Sequence, residues 1–256
     1  MTALPALPAG LHALLCDADG NLFPSEEPAF VASAEVTNRF LAAHGVDRRY
    51  TAEELRLATT GKNFRTTATD LAAAAGVAVP DLDTWVAEEK RAVSEHLGRV
   101  LEPDAEVVGT LTELGRELTL AAVSSSALTR LDACFRATGL AELLPAGRRF
   151  SAEDSLPTPT SKPDPAVYLH ACDQLGIRPE QGLAVEDSLP GALSAVRAGC
   201  PTIGNLRFVQ PAERAERESS LREAGVLAVV SSWTELAELL RPVLDRPALS
   251  GAGGAR

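Results

Sequence analysis

The sequence predicts an α/β fold, a doubly wound, Rossmann-like parallel sheet core with an inserted all-helical cap domain. Three observations carry that expectation. Beyond about residue 103, short apolar runs alternate with segments of helical periodicity, and strands alternating with helices imply a parallel sheet covered on both faces. A lone apolar run, residues 11–16 (LHALLC), precedes them and stops at Asp17. Between residues 24 and 100 no strand pattern is found, so that stretch reads as helices set into the sheet domain. The expected division is 1–23 and 102–249 for the core, 24–101 for the cap, and 250–256 for a Gly/Ala-rich disordered tail.

Taken in order, residues 11–16 make the first strand. In the insert, Thr51 and Glu54 form a capping box ahead of Leu55. Gly45, Gly76 and Gly98 each follow a helical stretch, where a left-handed residue is wanted. Pro103 is placed to open a helix with Val107, Val108, Leu111 and Leu114 on one face. Residues 118–123 form the second strand, and Leu128, Leu131 and Phe135 the next helix, closed by Gly139. A Pro/Thr/Ser-rich loop (155–161) leads into a helix over 165–175. Residues 182–185 make a further strand, 190–198 a helix, and 201–203 and 226–230 the last strands. Ser232 and Glu235 suggest a second capping box.

Composition narrows the function. Thirty-five acidic residues against 24 basic ones give a net charge of −11. That balance opposes nucleic-acid binding, which needs a basic face, but a local site can still hold a small anion. No stretch approaches the roughly 18–20 apolar residues of a membrane helix. Residues 1–10 lack a signal-peptide pattern. Cys16, Cys134, Cys172 and Cys200 are far apart in sequence and read as reduced thiols, and the scattered histidines argue against zinc. A cytoplasmic monomer with no membrane or nucleic-acid partner is expected. Lysine is rare, only Lys62, Lys90 and Lys162, so a retained lysine invites a specific reason.

Ligands of an open parallel sheet gather beyond the carboxyl ends of its strands. There the sequence supplies Asp17-Ala18-Asp19-Gly20, then Ser124-Ser125-Ser126, then Lys162-Pro163 opening a later helix, and Glu186-Asp187-Ser188. Carboxylates at that density suit a hard cation such as Mg²⁺, and an ammonium with hydroxyls suits a phosphoryl group. A carboxylate can attack phosphorus, and a second one two residues on can protonate the leaving oxygen and later activate water. Gly20 lets the chain turn sharply away. Taken singly, Asp17 and Asp19 read equally as turn residues, and Glu186-Asp187 as an acidic helix start; the four segments together carry the chemistry.

These segments resemble the haloacid dehalogenase superfamily, specifically its helical-cap phosphatases and the related β-phosphoglucomutase. DADGNLFPSE (17–26) is similar to that family's DxDGTLxDSE; Ser124 in AVSSSA, Lys162 in SKPDPAVY, and EDS (186–188) followed by PGALSAVRAG complete four motifs in order over nearly the whole chain. The resemblance implies Asp17 as nucleophile and Asp19 as acid/base, with Ser124 and Lys162 on the phosphoryl oxygens and Ser125 and Ser126 beside them. It implies Mg²⁺ on the Asp17 carboxylate, the Asp19 carbonyl and Asp187, with Glu186 a ligand directly or through water. It makes the insert a mobile cap that selects a small phosphorylated metabolite, with Gly61, Lys62, Asn63 and Arg65 facing it. The mutase relatives carry a His early in the cap's first helix; this chain has Ala29 there, which favours hydrolysis. Pro24 replaces the family's usual Asp, and Asn21 its usual Thr or Val.

Overall fold

Six parallel strands form one sheet in the computed structural model, which describes residues 7–8, 10–59 and 62–244. The strands are β1 (Ala13–Cys16), β2 (Thr119–Ser124), β3 (Arg149–Ser151), β4 (Gly182–Glu186), β5 (Thr202–Asn205) and β6 (Ala228–Val230). Their order is β3-β2-β1-β4-β5-β6. The chain steps outward from β1 to β3, then returns to the other side of β1 for the remaining strands. That reversal at β1 is the switch point where doubly wound sheets bind ligands. Register fixes what meets there. Cys16 is level with Ala122 and Val185, so the residue one step on, Asp17, is level with Val123 and Glu186.

Ten helices accompany the strands among the described residues: α1 (Glu26–Ala43), α2 (Ala52–Thr59), α3 (Phe64–Ala75), α4 (Leu82–Val100), α5 (Ala105–Leu114), α6 (Leu128–Ala137), α7 (Ala166–Leu175), α8 (Leu189–Arg197), α9 (Arg214–Glu223) and α10 (Trp233–Leu244). The chain divides into two compact units. The sheet unit comprises Met1–Leu22, Asp104–Leu128 and Ala141–Arg256. Every residue of β1 and β4 is buried, the pattern of parallel strands covered on both faces. On one face Ala13, Leu15, Ala121, Val123 and Ala184 pack with Val167, Tyr168 and Ala171 of α7 and Ala195 of α8.

The helical unit comprises Phe23–Pro103 and Thr129–Leu140. It differs from the expected cap boundary chiefly by taking in most of α6, whose Phe135 meets Phe23 edge-on at 5.6 Å. Phe40 organises its interior, with edge contacts to Phe64 at 6.3 Å and Trp85 at 5.7 Å. The expected capping box is present: the Thr51 amide donates to Glu54 Oε2 (2.8 Å) and the Glu54 amide to Thr51 Oγ1 (3.2 Å). Gly45 and Gly76 take positive φ, as expected, but Gly98 lies inside α4, whose last turn runs on to Val100. At α10, Glu235 accepts from the Ser231 amide rather than from that of Ser232.

Two elements lie outside the sequence expectation. The strand β3 is only three residues long and α9 is almost wholly polar. All four cysteines are buried thiols, and the fold brings Cys172 Sγ and Cys200 Sγ to 3.9 Å. Gly61, most of residues 1–10 and the proposed tail over 250–256 lie outside the described residues.

Candidate active site

Asp17 leaves β1 with its amide donating to the Val185 carbonyl (3.0 Å), so the sheet ladder sets its backbone. The next turn is closed by Leu22 N donating to Ala18 O (2.9 Å) and by Gly20 at φ +79°. Beneath it lies a buried amide chain. Asn21 Nδ2 donates to the Asp17 carbonyl (2.9 Å) and the Val185 carbonyl (3.2 Å), while its Oδ1 accepts from Asn205 Nδ2 (2.8 Å). The Asn21 carbonyl accepts from Trp233 Nε1 (3.2 Å). Asn21 therefore ties the ends of β1, β4 and β5 together.

Lys162 reaches this point from the turn before α7. Its ammonium donates to Asp17 Oδ1 (2.5 Å), Glu186 Oε1 (2.6 Å) and the Val123 carbonyl (2.8 Å), so all three of its donors are used. Glu186 Oε1 also accepts from the buried Tyr168 hydroxyl (2.5 Å). The Lys162, Asp17 and Glu186 side chains are only 6%, 9% and 0% exposed. Burial pushes the Asp17 carboxyl well above its ordinary range; Lys162 opposes that, and Glu186 and Asp187 add to it. Burial works against the Lys162 charge, yet Asp17 and Glu186 outweigh it and hold the ammonium protonated above its ordinary range. Burial, then the Asp17 and Glu186 charges, raise the Cys16 thiol, so it stays neutral.

The remaining residues close around this centre. Ser126 Oγ donates to Asp19 Oδ2 (2.7 Å). Ser124 Oγ accepts from the Ser126 amide (3.0 Å), and Ser125 Oγ accepts from the Lys162 amide (3.1 Å). Asp187 lies one residue beyond β4. Asp17, Glu186 and Asp187 each offer a carboxylate oxygen within 4.8 Å of the others. The structure thus gathers Asp17, Asp19, Ser124, Ser125, Ser126, Lys162, Glu186 and Asp187 in one unit at the sheet's switch point. Lys62 and Arg65 belong to the helical unit, where each has a carboxylate partner, Asp70 at 2.7 Å and Asp83 at 2.5 Å.

A family model of the haloacid dehalogenase-like hydrolases matches residues 11–199. The chain belongs to this family. Protein CbbY from Rhodobacter capsulatus is 30% identical over 205 residues, covering 74% of this chain and 82% of that protein. Validoxylamine A 7′-phosphate phosphatase from Streptomyces hygroscopicus subsp. limoneus is 28% identical over 190 residues, covering 74% and 83%. A phosphoglycolate phosphatase from Psychrobacter arcticus is 45% identical over 51 residues, which span 20% of this chain and 21% of that relative's length. A solved haloacid dehalogenase family hydrolase from Deinococcus radiodurans R1, with bound phosphate and sodium, superposes with a TM-score of 0.68 at 28% identity, covering 94% of this chain and all of that one.

The haloacid dehalogenase-like site fits a hard divalent cation. Its donors are carboxylate oxygens, three of them mutually close and buried. Among the described residues, Glu186 Oε2 is buried without a hydrogen-bond partner. Asp17, Asp19, Glu186 and Asp187 also outnumber the cations Lys162 and Arg217 beside them, which a divalent ion would redress. Three contributors escaped the sequence reading. Tyr168 stood inside the third motif with no role assigned. Gly191 is the residue whose Cβ would fall 1.8 Å from Glu186 Oε2, so a hydrogen there makes room for the carboxylate. Arg217 of α9 donates to the Asp187 carbonyl at 2.8 Å.

Proposed function

We propose that this hydrolase is a Mg²⁺-dependent phosphatase acting on a small phosphate monoester, a sugar phosphate or similar metabolite, through an aspartyl-phosphate at Asp17. The observation that carries the reading is the buried bridge of Lys162 between Asp17 and Glu186 at the switch point, with Asp187 alongside. Relatives named as phosphatases and the neighbour holding phosphate support it.

The chain's own groups divide the work. Lys162 orients Asp17 through Oδ1 and can pass one of its three donors to a phosphoryl oxygen, assisted by the Ser124 hydroxyl. The Asp17 carboxylate attacks phosphorus, the P–O bond to the ester oxygen breaks, and that oxygen takes the Asp19 proton. Asp19, oriented by Ser126, then takes a proton from water as the water oxygen attacks phosphorus. Inorganic phosphate leaves and the Asp17 carboxylate is regenerated. Asp17, Asp187, the Asp19 carbonyl and Glu186 would hold Mg²⁺, which supplies charge neutralisation between anionic nucleophile and anionic ester. The helical unit serves as the cap, with Lys62 and Arg65 offered to the substrate.

The proposal also places the protein in the cytoplasm as a monomer with no nucleic-acid partner. Among the described residues, no helix is long and apolar enough to cross a membrane. Incubation with p-nitrophenyl phosphate and Mg²⁺ is expected to release p-nitrophenol, and EDTA to abolish the release. A rate unchanged by metal removal contradicts the metal assignment. With β-glucose 1-phosphate, free glucose and phosphate mark a hydrolase, whereas glucose 6-phosphate marks the mutase chemistry that Ala29 argues against.

A further inference from the structure

We propose that Arg217 is a positioning residue for Asp187, a clamp that holds this carboxylate where a divalent cation can use it; the inference rests on the metal reading given above. Asp187 needs such a clamp. It lies one residue past the end of β4, so no strand ladder fixes it. Its carboxylate also faces those of Asp17 and Glu186, which repel it outward.

The clamp comes from α9, RAERESSLRE, a helix whose one buried residue is Leu221. Leu221 packs with Ala192, Leu206, Val209 and Ala224, and lies so close to β5 that a Cβ on Gly204 would sit 3.0 Å from its Cδ1. Arg217 is four residues earlier and therefore on the same helix face. Docking Leu221 against β5 aims Arg217 at the end of β4. There Arg217 Nη1 donates to the Asp187 carbonyl (2.8 Å) and reaches Asp187 Oδ2 (3.4 Å), with 23% of its side chain exposed. Gly20 also lies close to Oδ2: a Cβ there would fall 2.6 Å from it. One guanidinium nitrogen thus holds both the backbone and the carboxylate of Asp187, and the absence of a side chain at Gly20 leaves room for that carboxylate.

Two physical roles for Arg217 make opposite predictions. A mere counter-charge next to a ligand repels a metal ion, so its removal tightens binding. A positioning group holds the ligand in place, so its removal weakens binding, and outer partners of metal ligands are typically worth about 10–100-fold in affinity. The experiment titrates the substrate-free full chain with Mn²⁺ alone, followed by the EPR signal of the free ion. Arg217→Gln is expected to weaken binding by about tenfold or more. Arg217→Lys, which keeps the charge but loses the planar fork, is expected to weaken it less. Arg222→Gln, an exposed position on the same helix paired with Glu218, is expected to change nothing. In turnover, Arg217→Gln is expected to raise the Mg²⁺ concentration needed for half-activation while kcat recovers at saturating Mg²⁺. Binding by Arg217→Gln that is unchanged or tighter overturns the inference. If circular dichroism shows that variant unfolded, Arg217→Lys carries the same test. Wild-type protein that binds no Mn²⁺ overturns the metal reading as well; wild-type binding with an unaltered variant overturns this inference alone.

Discussion

In the sheet unit, the charged groups at the strand ends are buried and share partners: one ammonium serves Asp17, Glu186 and a main-chain carbonyl. In the helical unit most charges lie at or near the surface and pair with one another, Arg56 with Glu53, Lys62 with Asp70, Arg65 with Asp83, and Arg91 with Glu88 and Glu95, with Glu89 an exception. Exposed pairs of that kind contribute about 0–1 kcal/mol each, and the helical unit is held instead by Phe40, Phe64 and Trp85. Buried charges are costly to desolvate and weak evidence for stability. Their concentration at the carboxyl ends of the central strands is therefore better explained by chemistry than by folding. The two regions differ in what a substitution disturbs: activity at the strand ends, packing or surface charge among the helices.

The largest effect is expected at Asp17. Asp17→Asn should lower kcat by roughly four orders of magnitude. It should not lower thermal stability at neutral pH, because burial already raises the Asp17 carboxyl and penalises its charged form. Wild-type turnover in steady-state assays rules out the nucleophilic role. A melt that falls with activity breaks the contrast between the units.

Next come two glycine-to-alanine exchanges in helices. Gly191→Ala drives a methyl into Glu186 Oε2 and should cost about 1–3 kcal/mol in denaturant unfolding, together with activity. Gly98→Ala in α4 places its Cβ 3.5 Å from that of Ala133, an ordinary contact, and should add about 0.5–1 kcal/mol while leaving kcat unchanged. Equal effects at the two sites contradict the assignment of Gly191 to the Glu186 pocket.

The smallest effect concerns Glu89 of the helical unit. Burial raises its carboxyl, with Ser33, Arg130 and Lys90 opposing. An acid whose folded-state pKa is raised is neutral in both states at low pH; as pH climbs through that value, the native state carries a charge that the unfolded chain holds more easily. Glu89→Gln should therefore raise the melting temperature at neutral pH, and the gain should vanish below the ordinary carboxylate range. A gain that persists in acid assigns the effect to packing instead.

The central strands and three of the four segments could be read from the sequence because they carry strong local signals, an apolar run cut short by a carboxylate or hydroxyl; Lys162, after a Pro/Thr/Ser-rich loop, stands out only by the rarity of lysine and the Pro-Asp-Pro that follows it. The strand β3 could not be, since RFS is too short to show alternation. Nor could α9, where Leu221 alone among ten residues faces the interior. Arg217 was missed with it, because nothing in RAERESSLRE separates the arginine that grips Asp187 from its neighbours. Gly98 was misplaced because a glycine within a helix and one just beyond its end look alike until the next turn is known. The roles of Asn21 and Gly191 depend on residues 184 positions and 5 positions away, respectively, and appear only when the strand ends meet.

The most direct measurement is acid-quenching of the enzyme during turnover, followed by peptide mass spectrometry. The account predicts phosphate on Asp17, and its absence from Asp17→Asn. Phosphate on Ser124 or Asp19 instead, or an unlabelled wild-type enzyme under conditions that trap the intermediate, would contradict it.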